Sequence, residues 1–282
     1  MDNQQTVCLV ANTASGSYSP EAVDDLATAF RGAGFDLCRS ICFPDEDLPT
    51  TETLAGSNID ILAIFTGDGT VNSCVTGLYG WKGKVLVLPG GTMNLLSHQL
   101  HGEAEPADIV AQVASGAARV VRRNVARSAH GDALVGLSAG PATSWYTVRE
   151  AMREADIQQM VDEAGEAYAK TVGDEAQLCI REPDVGDREG YPLVEICPCD
   201  AGLRLVAYNP KTLGDYIAQG WKMLIRRFRE GPHETLGTFD RLVLAGATGA
   251  PIELSIDGEP TLGEPVEEVV LAEADVDLLA TA

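Results

Sequence analysis

Ile59-Asp60-Ile61-Leu62-Ala63-Ile64-Phe65-Thr66-Gly67-Asp68-Gly69-Thr70-Val71-Asn72 is an apolar run of strand length that ends in a turn holding one carboxylate between two glycines. A helical stretch, residues 71–79, is expected to follow. The arrangement recurs twenty-odd residues later as Lys84-Val85-Leu86-Val87-Leu88, then Pro89-Gly90-Gly91-Thr92-Met93-Asn94, then a second helical stretch. Glycines at a strand-to-helix turn let backbone N–H groups approach an anion closely, and a helix N-terminus adds positive partial charge. Two such turns in succession suggest one polyphosphate held between two loops. Asp68 would repel a phosphate unless a divalent cation or a proton lies between them, so the turn reads as a magnesium-nucleotide site.

Working outward, residues 6–11 form another apolar run. Asn12-Thr13-Ala14-Ser15-Gly16 is a turn, and Ser19-Pro20-Glu21 opens a helix with a capping serine and a proline at its first position. That helix should end near Gly32-Ala33-Gly34. A strand at 35–43, a short helix at 48–55 and a helix at 105–115 complete a βαβα order. Such an order implies a mostly parallel sheet covered by helices, with ligands at the carboxyl ends of its strands. All three small-residue turns follow strands and should share that edge. Beyond residues 119–126 the pattern changes to short strands at 132–137, 177–181, 193–197, 203–208, 241–245, 252–256 and 267–271, the signature of an antiparallel sandwich. Helical stretches at 144–171 and 213–229 interrupt it. The expected domains are therefore 1–125, an α/β nucleotide-binding unit, and 126–282, a β-sandwich whose last residues are candidates to return to the first domain.

Composition narrows the function. The chain has 282 residues and is 45% apolar, enough for two modest cores. A formal charge of −22 argues against general nucleic-acid binding, because phosphate backbones need basic patches. No run of about 20 apolar residues is present, and Met1-Asp2-Asn3-Gln4-Gln5 has no basic segment or apolar signal core. The reading is cytoplasmic. Seven cysteines, most in apolar runs (Cys8, Cys42, Cys74, Cys179), read as buried free thiols. His98 and His101 read as surface or capping residues. Gly220-Trp221-Lys222-Met223-Leu224-Ile225-Arg226-Arg227-Phe228-Arg229 is basic and apolar in an acidic chain. It suits a helix on an anionic membrane surface, or one that packs into the sandwich.

The ordered set Asn12-Thr13-Ala14-Ser15-Gly16, Thr66-Gly67-Asp68-Gly69-Thr70-Val71-Asn72-Ser73, Pro89-Gly90-Gly91-Thr92-Met93-Asn94 and Asp257-Gly258-Glu259 resembles the diacylglycerol kinase catalytic-domain family, which includes bacterial lipid kinases and sphingosine kinases. Taken alone, Gly67-Asp68-Gly69 is weak, being shared with NAD kinases and phosphofructokinases, and Asp257-Gly258 is simply a type I′ hairpin signal; the four in order are specific. The resemblance implies an N-terminal α/β domain, a C-terminal β-sandwich and a cleft between them in which the ATP γ-phosphoryl group passes to a lipid hydroxyl, diacylglycerol-like or sphingoid-like. Its implied partners are Mg2+ with ATP and a lipid at a membrane surface met peripherally. It gives Asn12, Thr13, Ala14, Ser15 and Gly16 to the nucleotide phosphates or ribose. Gly67, Asp68, Gly69, Thr70 and Asn72 would hold the phosphates, with Asp68 on the metal. Gly91, Thr92 and Asn94 would close the other side. Asp257 and Glu259 would reach in from the second domain, one as general base. If both sit on a strand they point the same way, so spacing does not choose between them.

The chain departs from the pattern at Thr66 (a glycine in the family), Thr13 (a proline) and Ser73 (a glutamate). A family segment associated with a structural magnesium is represented only by Asp200-Ala201-Gly202-Leu203. Two other readings stand beside the lipid kinase: an NAD-kinase-like phosphotransferase on a soluble substrate, and a nucleotide-binding sensor or scaffold with lost or weak activity.

Overall fold

A computed structural model describes residues 4–144, 177–208, 233–246 and 249–282. The charged helix expected at 144–171 falls outside these residues except for Ser144. The basic apolar stretch 220–229 and the helix expected at 213–229 fall outside them entirely. The chain divides into two compact units, Met1–Arg123 with Glu273–Ala282, and Asn124–Ala272.

The first unit is an α/β sheet. Strand β1 (Thr6–Asn12) lies between β2 (Asp36–Phe43) and β3 (Ile61–Thr66), and β4 (Lys84–Pro89) lies beside β3. These four are parallel, with Val10 opposite Ile41 and Ile64, and Ile64 opposite Val87. Every residue of β3 is buried, as expected of a parallel strand covered on both faces. Helix α1 (Pro20–Gly32) begins where Ser19 Oγ accepts the Ala22 N–H at 3.0 Å, and it buries Leu26, Ala27 and Phe30. Helix α2 (Thr51–Gly56) is capped by Thr50 and Thr53, which bond each other's backbone reciprocally. Helices α3 (Asp68–Gly77), α4 (Leu95–His101) and α5 (Pro106–Ala114) complete the layers. Leu26 and Phe30 of α1 and Ile109 and Val110 of α5 share one core with Leu9, Ile61 and Leu86. Each fully buried side chain of this size contributes roughly 1.5–3 kcal/mol.

The far side of this sheet comes from distant chain. Strand β5 (Arg119–Val121) is the edge, and a strand from the last residues lies between it and β4.

The second unit is a sandwich of two sheets. Its elements in chain order are β6 (Asn124–Ser128), β7 (Gly131–Ala133), β8 (Leu137–Ala139), a 3-10 turn (Pro141–Ser144), β9 (Leu178–Glu182), β10 (Leu193–Cys199), β11 (Gly202–Tyr208), β12 (His233–Phe239), β13 (Arg241–Gly246), β14 (Glu253–Ile256), β15 (Glu259–Leu262) and β16 (Val266–Glu273), whose last residue already belongs to the first unit. One sheet has the order β12-β11-β10-β8-β14-β15 and the other β7-β6-β16-β13-β9. Leu137, Ile196, Leu205 and Leu254 of the first face Ala126, Leu178, Leu244 and Val269 of the second across a single core. The strand expected at 132–137 is two strands, β7 and β8, separated by residues 134–136. There the chain passes from one sheet to the other, and the amides of those three residues donate to a carboxylate described below.

The chain then closes on the first unit through β17 (Asp277–Ala280), parallel to β4 and antiparallel to β5, with Leu278 opposite Val85 and Leu279 opposite Val120. Arg122 holds the approach to this strand through Asp275 at 2.9 Å and Asp277 at 2.8 Å. Among the described residues no helix is long and apolar enough to cross a membrane.

All seven cysteines are free. Burial pushes the Cys8 thiol up to about 11 and the Cys74 thiol up to about 12, so both stay protonated and unreactive. Cys8, Cys74 and Cys197 are buried, whereas Cys42 and Cys179 are only partly covered and Cys38 is exposed.

His101 corrects the expectation of a surface residue. It is 5% exposed, and its Nδ1 lies 2.9 Å from Thr281 Oγ1, tying α4 to the end of β17. Burial depresses its pKa to about 4, against a smaller opposing pull from the Val87 carbonyl. The unfolded chain therefore binds a proton on this ring at a higher pH than the folded chain does. The associated stability is complete above about pH 6.5 and is lost as pH falls toward 4, by up to roughly 3 kcal/mol at about 1.4 kcal/mol per unit. His101→Gln is expected to melt at a temperature that falls less between pH 7 and pH 4.5 than the parent's does. Equal falls would show that the ring does not carry this acid sensitivity.

Candidate active site

Because β1, β3 and β4 are adjacent and parallel, the turns that leave them emerge on one edge of the sheet. Side chains and glycines knit the three turns together. Asn12 Nδ2 donates to Thr70 Oγ1 at 2.8 Å, and Asn12 Oδ1 accepts the Ala14 N–H at 2.8 Å, folding the first turn back on itself. Ser15 Oγ donates to the Gly90 carbonyl, and Ser17 Oγ to the Gly91 carbonyl at 3.2 Å. Asp68 Oδ1 accepts the Leu95 N–H at 2.8 Å, which joins the start of α3 to the start of α4. Asn94, in the left-handed region at φ 52°, turns its Oδ1 back to the Gly91 N–H at 2.7 Å. Thr92 Oγ1 lies 3.5 Å from where a Cβ on Gly16 would sit.

The predicted nucleotide-binding residues are therefore brought together: Asn12, Thr13, Ala14, Ser15 and Gly16 beside Gly91, Thr92 and Asn94, and both beside Gly67, Asp68, Gly69 and Thr70. Asn72 lies on α3, where its carbonyl accepts the Thr76 hydroxyl at 2.8 Å. Ser17 and the Leu95 amide join the set without a sequence signal; the first lies just past its motif, and the second is backbone.

One local expectation changes. Gly67-Asp68-Gly69-Thr70 does not precede the helix. Gly67 is its N-cap, Asp68 its first residue, and the first helical bond runs from Val71 N–H to the Gly67 carbonyl at 3.0 Å. Asp68 thereby places a carboxylate where the helix dipole favours one. The first-turn amides of Gly69 and Thr70 have no acceptor within the helix, and Gly67 supplies no side-chain cap. Gly90 and Gly91 also serve packing. A Cβ there would lie 2.5 Å from Gly67 Cα, and one on Gly90 would lie 2.5 Å from the Phe65 carbonyl carbon. These glycines let one loop pack on the backbone of the other.

The departures from the family pattern have local explanations. Thr13 donates its N–H to the Phe43 carbonyl at 2.9 Å, a bond that proline could not make. Thr66 is buried, and its hydroxyl donates to the Gly67 carbonyl at 2.9 Å. Ser73 Oγ donates back to the Gly69 carbonyl at 3.1 Å, the ordinary way for a helical serine to satisfy itself. Asp200-Ala201 is the two-residue turn between β10 and β11, which pair from Cys199 opposite Gly202. Among the described residues no group of three or more His, Cys, Asp or Glu side chains gathers as a metal site.

Asp257 and Glu259 lie in the second unit. They are not two positions of one strand. Asp257 and Gly258, at φ 49° and 95°, are the two residues of a type I′ turn between β14 and β15, closed by Ile256 opposite Glu259. Asp257 is buried, with its carboxylate accepting the N–H groups of Leu134, Val135 and Gly136. Glu259 is exposed on the edge strand β15.

Residues 6–124 match the diacylglycerol kinase catalytic domain. Across 98% of the chain the fold is similar to that of a Bacillus anthracis str. Sterne protein assigned as a diacylglycerol kinase, at 17% identity, a TM-score of 0.65 and 95% coverage of that chain. A diacylglycerol kinase of the same organism matches at 14% identity and a TM-score of 0.62, with 98% of this chain and 97% of that chain covered. No curated protein matches the sequence.

Proposed function

We propose that this protein, whose residues 6–124 match the diacylglycerol kinase catalytic domain, is a kinase-type phosphotransferase that uses Mg-ATP to phosphorylate a lipid hydroxyl, diacylglycerol-like or sphingoid-like. The observation that carries this reading is the set of three loops knit at one sheet edge, with the amides of Gly69 and Thr70 in the first turn of α3. Amides at a helix N-terminus beside glycine loops fit a polyphosphate. Asp68 supplies a hard oxygen ligand of the kind that magnesium takes alongside phosphates and water. The ion would neutralise phosphate charge, and Asp68 would hold it, its carboxylate oriented by the Leu95 N–H.

The protein's own residues do the rest. The loops fix the phosphates, while Ser15 and Ser17 lock the loops to each other. Glu259 is assigned the acceptor proton. As the lipid oxygen forms its bond to the γ-phosphorus, that bond's counterpart to ADP breaks, the electron pair leaves with ADP, and the hydroxyl proton passes to the Glu259 carboxylate. Phosphoryl transfer needs little beyond positioning, charge neutralisation and a base.

Asp68→Asn tests the nucleotide half. It keeps an acceptor for Leu95 but removes the charge, so Mg-ATP affinity and transfer to a lipid extract with labelled ATP should both fall at least tenfold while circular dichroism is unchanged. Unaltered titration heats and unaltered labelling would remove Asp68 from the metal. Ser73, which leaves the site one carboxylate short of the family pattern, favours the sensor or scaffold as the second reading. ATP binding without labelling of any lipid would select it.

A further inference from the structure

Asp257 carries more bonds than a turn residue needs. Its Oδ2 accepts the Leu134 N–H at 2.8 Å, and its Oδ1 accepts those of Val135 and Gly136 at 2.9 Å each. Its own N–H donates to the Gly136 carbonyl at 3.0 Å. Three consecutive amides converging on one carboxylate form a backbone anion nest, here filled by the protein's own side chain. The nest lies where the chain passes from β7 in one sheet to β8 in the other. It fixes the strap 134–136 to the turn that closes β14 and β15.

Glu259 sits at the other end of the same turn. It begins β15, an edge strand of four residues whose only sheet neighbour among the described residues is β14, and whose second residue, Pro260, has no N–H to give a ladder. The place of Glu259 is thus set by its pairing with Ile256 and by the turn, and the turn is anchored by Asp257. A left-handed φ of 49° at Asp257 suits only a few residue types, chiefly Gly, Asn and Asp. Of these, aspartate alone can offer acceptors to three amides at once.

We propose that Asp257 is a positioning residue that acts through Glu259, and is not itself the proton acceptor. A base must turn a lone pair to the substrate hydroxyl, whereas this carboxylate has three of its acceptor positions committed to the strap. The inference rests on the kinase reading and on Glu259 as its base.

The test is a double-mutant cycle in the full chain. Turnover is measured at saturating ATP on vesicles carrying diacylglycerol and on vesicles carrying sphingosine, with ATP affinity and thermal melting measured in parallel. Asp257→Asn keeps the left-handed turn but sets an NH2 group against an amide donor. It should cut kcat about ten- to a hundredfold, with ATP affinity within twofold of the parent. Glu259→Gln should cut kcat further, and adding Asp257→Asn to it should cost nothing more, because a displaced base and an absent one are equivalent. An equal multiplicative loss in both backgrounds would show Asp257 acting on its own and overturn the proposal, as would normal kcat in Asp257→Asn. Should that variant not fold, Asp257→Gly keeps the turn and gives the same reading. Failure of both to fold would also overturn it, since the residue would then be a requirement of the whole unit. Normal turnover in Glu259→Gln would instead strike the base assignment itself, in the single variant, before the cycle is closed.

Discussion

Glu259→Gln is expected to lower turnover by about a hundred- to ten-thousand-fold, the usual range for loss of a general base, while ATP affinity and melting temperature stay close to the parent. The side chain is exposed on an edge strand, so replacing the carboxylate by an amide disturbs no packing and no buried bond. An exposed substitution of this kind is ordinarily worth less than about 0.5 kcal/mol of stability. A large kinetic loss with no structural loss would therefore have one cause, the missing proton acceptor. The measurement is single-turnover transfer of labelled phosphate at saturating ATP and lipid. Turnover within a fewfold of the parent would leave Asp257-Gly258-Glu259 as a hairpin turn only.

What the sequence made legible follows from where the physical signal was local. Ser19 and Pro20 announce α1 because a cap and a fixed φ act within one turn of helix. The buried strands β1, β3 and β4 show as apolar runs because a parallel sheet covered on both faces leaves no polar alternation. The three loops could be placed on one edge because each follows such a strand. Asp257-Gly258 was legible as a turn for the same local reason.

The features the sequence hid depend on partners far along the chain. Strand β12 contains Gly237 at φ 143° and shifts register against β11 between Leu205 and Val206, so no clean alternation marks it. Strand β15 is four residues with a proline, and β17 is four residues that pair only because β4 and β5 already exist. The break at residues 134–136 looks like continuous strand, since the carboxylate that takes its amides is more than 120 residues away. His101 looked like a surface histidine because its cover includes Thr281, 180 residues on. At the loops, the glycines were legible but not their reason. A sequence shows that Gly91 lacks a side chain, and only the fold shows that the space is taken by Gly67.

That distinction sets the other large effect. Gly91→Val is expected to damage stability and nucleotide binding together, and not binding alone. A Cβ at residue 91 would stand 2.5 Å from Gly67 Cα and 3.2 Å from Gly67 N, backbone atoms that cannot swing aside as a side chain could. Relief requires the turn after β4 to lift from the turn after β3. Lifting it strains the Ser15 bond to the Gly90 carbonyl and the Ser17 bond to the Gly91 carbonyl. It also strains the Asp68 bond to the Leu95 amide, and with these the setting of the Gly69 and Thr70 amides. Overpacking of a tight contact typically costs about 1–3 kcal/mol, occasionally more, and a β-branched residue falls at the upper end. Gly91→Val should thus melt several degrees below the parent, and its folded fraction should bind Mg-ATP at least tenfold more weakly. Asn94→Ala provides the contrast: it removes the Oδ1 that accepts the Gly91 N–H at 2.7 Å but introduces no clash, so it should weaken binding with a smaller fall in melting temperature. Calorimetric titration and thermal melting of both variants decide the matter. A Gly91→Val protein that melts low yet binds Mg-ATP normally when folded would show that the contact between these loops is architectural and that the phosphate does not lie on them.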